Sequence, residues 1–109
     1  MNSDRLEAHL QNWKNWMRHG GLEELAMPSR VPVIGIRHNT SFDDMIEDMD
    51  RMTAKATDAA IADLKRLERE AIHHNYLGTE WRNDYANIHV VLVVAREAIR
   101  QSLVRRGVA

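Results

Sequence analysis

Side chains that could hold a metal ion or transfer a proton occur in two segments of this 109-residue chain. Glu70-Ala-Ile-His73 has the Glu-x-x-His spacing with which helical bundles hold paired metal ions. The carboxylates between residues 43 and 50 include pairs four residues apart, such as Asp44 and Asp48, which share one helix face. A di-metal bundle uses the Glu-x-x-His motif twice, whereas this chain has it once. We therefore expect a solvated acidic face and no metal site.

The residue types that other catalytic mechanisms need are missing or are not suitably spaced. The chain has no Cys, which excludes thiol nucleophiles, thiolate metal sites and disulfides. It has no Gly-rich phosphate-binding loop, no nucleophile elbow and no Ser-His-Asp pattern that the spacing supports. We expect a protein that is not an enzyme and that binds no cofactor.

Arginines are concentrated toward the end of the chain. The net charge is −1, but residues 1–50 carry nine acidic and five basic side chains, and residues 51–109 carry seven acidic and ten basic ones. One interpretation is that cations favour the carbonyl end of a helix. The other is a patch that contacts nucleic-acid phosphates. The candidate contacts are Arg82, Arg96, Arg100, Arg105 and Arg106.

Apolar periodicity predicts an all-α fold, a small bundle of three to five helices in a single domain over residues 1–109. The first helix covers about 3–19 and begins at a Ser3 cap. An extended, Pro-containing linker follows at about 20–40. The next helical segment covers about 41–77, begins at a Ser41 cap, and is interrupted near 53–57 if Thr57-Asp58 caps a separate helix. The last helix covers about 84–105.

Two apolar stripes exceed what one small core needs. The last helix is apolar nearly all round for two turns, so it is either the central buried element or shared with a second subunit. A methionine stripe in the preceding segment is either ordinary core or an adaptable partner-binding face. We expect a homo-oligomer, with a dimer favoured. The candidate partner-binding residues are Met45, Met49, Met52, Val90, Val94 and Trp81.

The sequence has no apolar segment that predicts a membrane location. The first residues, Met1 to Arg5, open into a charged helix without a signal segment. The longest apolar run, Val90 to Ala95, is far shorter than the roughly 20 residues that a membrane-spanning helix requires. We expect a soluble, cytoplasmic protein with no membrane partner.

Two blocks resemble a family of phage proteins. Asn12-Trp13-Lys14-Asn15-Trp16-Met17-Arg18, followed by a linker with Gly and Pro, resembles the N-terminal part of small phage proteins related to the Q-type late-gene antiterminators. The block that runs from Asp58-Ala-Ala-Ile61 to Tyr76-Leu77-Gly78 is also similar to them. The ending Arg105-Arg106-Gly107-Val108 looks like that of uncharacterised prophage proteins. The resemblance implies a phage origin.

In the antiterminator family, the second block leads into a helix-turn-helix that reads DNA. Only 11 residues separate Tyr76 from Ile88 here, which leaves no room for the first helix of that motif. The main hypothesis is therefore a small phage-type helical protein that acts through protein–protein contacts. The alternative is a transcription regulator of the antiterminator type that contacts DNA or RNA polymerase and uses its basic C-terminal helix.

Overall fold

The computed structural model describes residues 1–20 and 42–109, with the side chains of 42–46 left out of the description. All regular structure in these two ranges is helical, which confirms the all-α prediction. The helices are α1 (Ser3–Arg18), α2 (Phe42–Ala62), α3 (Arg66–Leu77) and α4 (Ile88–Arg105). The predicted linker at 20–40, beyond Gly20, and the Ser41 cap lie outside the described residues. None of the described helices is long and apolar enough to span a bilayer.

The first helix begins at Ser3, but its cap is the preceding residue. Asn2 has an extended backbone, and its side-chain oxygen accepts a hydrogen bond from the backbone N–H of Arg5 at 2.8 Å. An N-cap side chain satisfies a helix N–H that has no partner within the helix. The prediction that Ser3 caps α1 was wrong by one residue, because Asn2 is an equally good cap and sits one position earlier.

The interruption of the long helical segment lies between Ala62 and Arg66, and the prediction of a break near 53–57 was wrong. Thr57 is fully buried inside α2, and its hydroxyl donates to the carbonyl of Thr53 at 2.8 Å. Because this bond satisfies the hydroxyl, the helix continues through the position. At the real break Lys65 is extended, and its backbone N–H donates to the Glu68 carboxylate at 3.1 Å.

The last two helices are joined by ten residues that include a left-handed glycine. Gly78 ends α3 with φ of 75°, a conformation that glycine adopts without the steric cost of a Cβ. Asn87 caps α4 by accepting from the backbone N–H of His89 at 3.0 Å. The last helix therefore starts at Ile88, four residues later than predicted.

A single core joins the four helices. Trp13 is its largest fully buried side chain and occupies the middle of α1. Its indole N–H donates to Asp58 of α2 at 3.2 Å, and its ring lies 5.7 Å from the ring of His73 in α3. The other buried members of this cluster are Leu6, Leu10, Ala60, Ile61, Leu64, Ile72, Tyr76, Ala95, Ile99 and Leu103.

Ile99 is the α4 residue best placed to test the core. Its side chain is fully buried, so Ile99→Ala should lower the free energy of unfolding by about 2–5 kcal/mol through lost burial and a residual cavity. Chemical denaturation followed by circular dichroism measures the change. Arg105→Ala, at an exposed position of the same helix outside the valine face, is the control and should change stability by less than about 0.5 kcal/mol. Equal effects would contradict the packing described here.

Candidate interaction surface

The last helix has a buried face and an exposed face that are both apolar. Ala95, Ile99 and Leu103 point into the core and are fully buried. On the other side lies what we call the valine face: Val90, Val93, Val94 and Val104, with exposed fractions of 60%, 69%, 52% and 48%. At about 100° per residue, Val90 lies directly opposite Ile99 on the helix. The two faces are therefore separate, and the core does not use the second one.

Within residues 1–20 and 42–109, the last helix is not covered on all sides. A central element would be covered all round, but among the described residues α4 packs mainly on α3 and α2, which lie on its Ile99 side. Leu92 packs against the edge of the core and is only partly buried. The first two turns of α4 consequently expose valines that the described part of the chain leaves uncovered. A contiguous exposed apolar patch of this kind usually marks an interaction site.

Charged groups run through the valine face and are paired with one another. Arg100 donates to both oxygens of Glu97, through Nε at 2.9 Å and Nη2 at 2.5 Å. Gln101 donates to the same carboxylate at 3.2 Å. These hydrogen bonds, chiefly those from Arg100, lower the pKa of Glu97 to about 2. Both side chains therefore carry full charge at neutral pH.

An open groove borders the valine face on the α1 side. It has a volume of about 800 Å³ and runs between the start of α1 and the middle of α4. Met1 and Leu6 contribute apolar surface, and Val93, Glu97 and Arg100 form the α4 wall. The surface available to a partner thus extends past the valines onto the first turn of α1.

The methionine stripe is the second exposed apolar candidate. Met49 and Met52 are both largely exposed on α2, and they line a shallow groove with Ala56 and Val108. The side chain of Met45 lies outside the described residues. This patch has two methionines one turn apart, whereas the valine face has four valines. Arg51 lies between the methionines in the sequence, and Asp48 precedes Met49.

Trp81 lies in the connection before the last helix and is half-buried. Its ring is 6.3 Å from the ring of His74 at the end of α3. The indole therefore folds back on α3, and Tyr85, four residues later, is the more exposed aromatic of this connection.

Four of the five candidate nucleic-acid contacts are paired with carboxylates. Arg82 pairs with Glu80, Arg100 with Glu97, and Arg106 with Asp63 at 3.0 Å. The fourth pair joins Arg96 to Glu7 of α1. Arg105 is exposed and has no ion-pair partner within residues 1–20 and 42–109. The arginines therefore do not form one free basic surface.

Arg96 belongs to a polar cluster that joins three helices. Its Nη2 atom donates to the Glu7 carboxylate and to the Tyr76 hydroxyl, the latter at 2.7 Å. The Tyr76 hydroxyl donates in turn to Glu7 at 2.7 Å. Burial raises the pKa of Tyr76 to about 12, so the phenol stays protonated and can donate. The sequence analysis proposed Arg96 as a phosphate contact. It did not foresee the ion pair with Glu7, because the two residues are 89 positions apart in the sequence.

Both residues of the candidate metal-binding motif, Glu70 and His73, make contacts within the fold. Glu70 accepts hydrogen bonds from Asn83 at 2.6 Å and from Arg66 at 3.1 Å, and these lower its pKa. His73 is half-buried against Trp13, and burial lowers its pKa. Across the two described ranges, no group of three or more His or carboxylate side chains could hold a metal ion. The side chain of Asp44 lies outside them.

No protein-family model, curated protein or solved structure matches this chain.

The contribution of the Glu7–Arg96–Tyr76 cluster to stability can be tested by substituting Arg96, with Arg105 of the same helix as the control. Arg96→Ala should lower the free energy of unfolding by about 1–2 kcal/mol, since it removes charge-assisted hydrogen bonds between helices. Arg105→Ala, on the same helix but without such bonds, should change it by less than about 0.5 kcal/mol. Urea denaturation of both variants gives the comparison. An Arg96→Ala value no larger than that of the control would show that the cluster does not couple the helices.

The buried histidine predicts a pH dependence of stability. The pKa of His73 is lower in the folded chain than its ordinary value of 6.5, so the unfolded state binds more protons near that pH. Stability should therefore fall as the pH drops through 6.5. His73→Gln should reduce this slope in urea denaturation between about pH 7.5 and 5.5, and His89→Gln, at an exposed position, should leave it unchanged. A slope unaffected by His73→Gln would contradict the assignment.

Proposed function

We propose that this chain is a small helical protein that acts through protein–protein contacts as a homodimer, with the valine face of α4 as the contact. The observation that carries the proposal is the exposure of four valines on the side of α4 that faces away from the core. Burying a valine side chain contributes roughly 1.5–3 kcal/mol, so covering this face would favour association.

A second copy of the chain is the simplest partner for such a face. Two-fold dimers are the most common protein assemblies, and a two-fold contact uses the same patch on both subunits. The valine face meets that requirement, because it is covered when the valine faces of two chains pack together. The groove beside Met1 adds area to the contact.

Nucleic-acid binding ranks below this proposal. A phosphate contact needs a cation that can displace counterions from the nucleic acid, and four of the five candidate arginines are held by carboxylates. Contact with DNA or RNA polymerase, and the phage origin, rest on the resemblance described above. We propose a non-catalytic role, because Glu70 and His73 are taken up by structural contacts.

The proposal predicts the mass of the chain in solution. Sedimentation equilibrium of the wild-type chain should give twice the 12.6 kDa of one chain at high concentration. Val90→Asp combined with Val93→Asp should give the mass of one chain with unchanged helicity, since each dimer would bury four carboxylates.

Met52→Asp is the matched control for the other exposed apolar patch. It should leave the dimer intact, because Met52 lies on α2 and not on the valine face. A wild-type chain that is monomeric at every concentration would overturn the proposed function. Dissociation by Met52→Asp with no effect of the valine substitutions would overturn the choice of face.

A further inference from the structure

Four residues of α4 form a pattern that is complementary to itself. Val93, Glu97, Arg100 and Val104 lie within about 60° of one another around the helix. Their order is apolar, acidic, basic, apolar, with spacings of four, three and four residues. Along the helix, the midpoint between Val93 and Val104 coincides with the midpoint between Glu97 and Arg100, and both fall between residues 98 and 99. All four are at least partly exposed, with 51% of the Glu97 side chain and 33% of the Arg100 side chain accessible.

We propose that α4 pairs with α4 of a second copy in an antiparallel arrangement whose two-fold axis passes at the level of residues 98–99. This inference rests on the proposed function and specifies its geometry. In this register Val93 of each chain lies opposite Val104 of the other, and Glu97 lies opposite Arg100 of the other. Opposite charges meet twice, and the valines close both ends of the contact.

The charges select this register over the alternatives. Parallel pairing places Glu97 opposite Glu97 of the partner subunit, and Arg100 opposite Arg100 of the partner subunit. An antiparallel pair centred on Glu97 also places the two glutamates together. Like charges opposite one another across a contact disfavour the arrangement, and this is a common way of excluding wrong pairings.

The ion pair between Glu97 and Arg100 within one chain is compatible with the proposed dimer. Glu97 and Arg100 hold each other by two hydrogen bonds, so both are fixed on the exposed face before association. Adding the second copy would turn two separate ion pairs into a ring of four alternating charges.

Cysteine cross-linking tests the register directly, because the chain contains no cysteine of its own. In the proposed dimer, two copies of Val93→Cys would have their cysteines separated by 11 residues along the helix, about 16 Å, which is too far for a disulfide. Mixing Val93→Cys with Val104→Cys places the two thiols opposite each other. Mild oxidation should cross-link the mixture and neither variant alone.

Charge reversal provides a second readout that does not depend on disulfide geometry. Glu97→Arg and Arg100→Glu should each weaken self-association by about 10-fold or more, since each puts like charges face to face. The combined Glu97→Arg and Arg100→Glu chain should recover the wild-type dissociation constant within about 3-fold. The two single variants, mixed, should associate with each other more tightly than either does with itself.

The outcomes separate the register from the function it rests on. Cross-linking of Val93→Cys alone, or single reversals that leave the dissociation constant unchanged, would overturn the register while the dimer stands. A wild-type chain that stays monomeric would overturn the proposed function and the register together.

Discussion

The structure depends on one constraint: α4 is apolar on two sides, and the helices within residues 1–20 and 42–109 cover only one of them. The covered side carries Ala95, Ile99 and Leu103, which are fully buried against the other helices. Small chains bury a smaller share of their surface than large ones, so a second apolar face cannot be absorbed by enlarging the core. The valine face therefore stays exposed in the described part of the chain, and the proposed dimer contact lies on it.

The contacts that hold the helices together lie away from that face. Trp13 connects α1 to α2 through Asp58 and to α3 through His73. The Glu7–Arg96–Tyr76 cluster ties α1, α3 and α4 at the margin of the core. With the helices fixed by these contacts, the valine face is presented on a rigid helix. A surface that is already ordered loses less conformational freedom on binding, which favours association.

Much of the fold could be predicted from the sequence, because helix periodicity and capping are local. The presence of the helical segments followed from apolar spacing, although the last helix starts later than predicted. The stop at Gly78 followed from the freedom of glycine to adopt a left-handed conformation. The break at 63–65 was missed because it depends on a single backbone contact to Glu68, whereas Thr57 had the stronger capping propensity but forms its bond within the helix.

The candidate site was harder to predict than the fold. Val90 and Val94 were predicted as partner-binding residues from the excess of apolar surface, and both are exposed in the structure. Trp81 was predicted with them, but its ring folds back on α3. Val93, Glu97 and Val104 were missed, although their helical spacing carries the signal. The role of Arg96 could not be predicted, since its pairing with Glu7 is a product of the tertiary fold.

The most direct test of the account is an isotope-filtered NOE experiment on a dimer formed from labelled and unlabelled chains. Such an experiment detects only contacts between the two subunits. The account predicts intermolecular cross-peaks to the methyl groups of Val93 and Val104, with protons of the other chain's α4. The absence of intermolecular cross-peaks to these valine methyl groups, at a concentration where the dimer is populated, would contradict it.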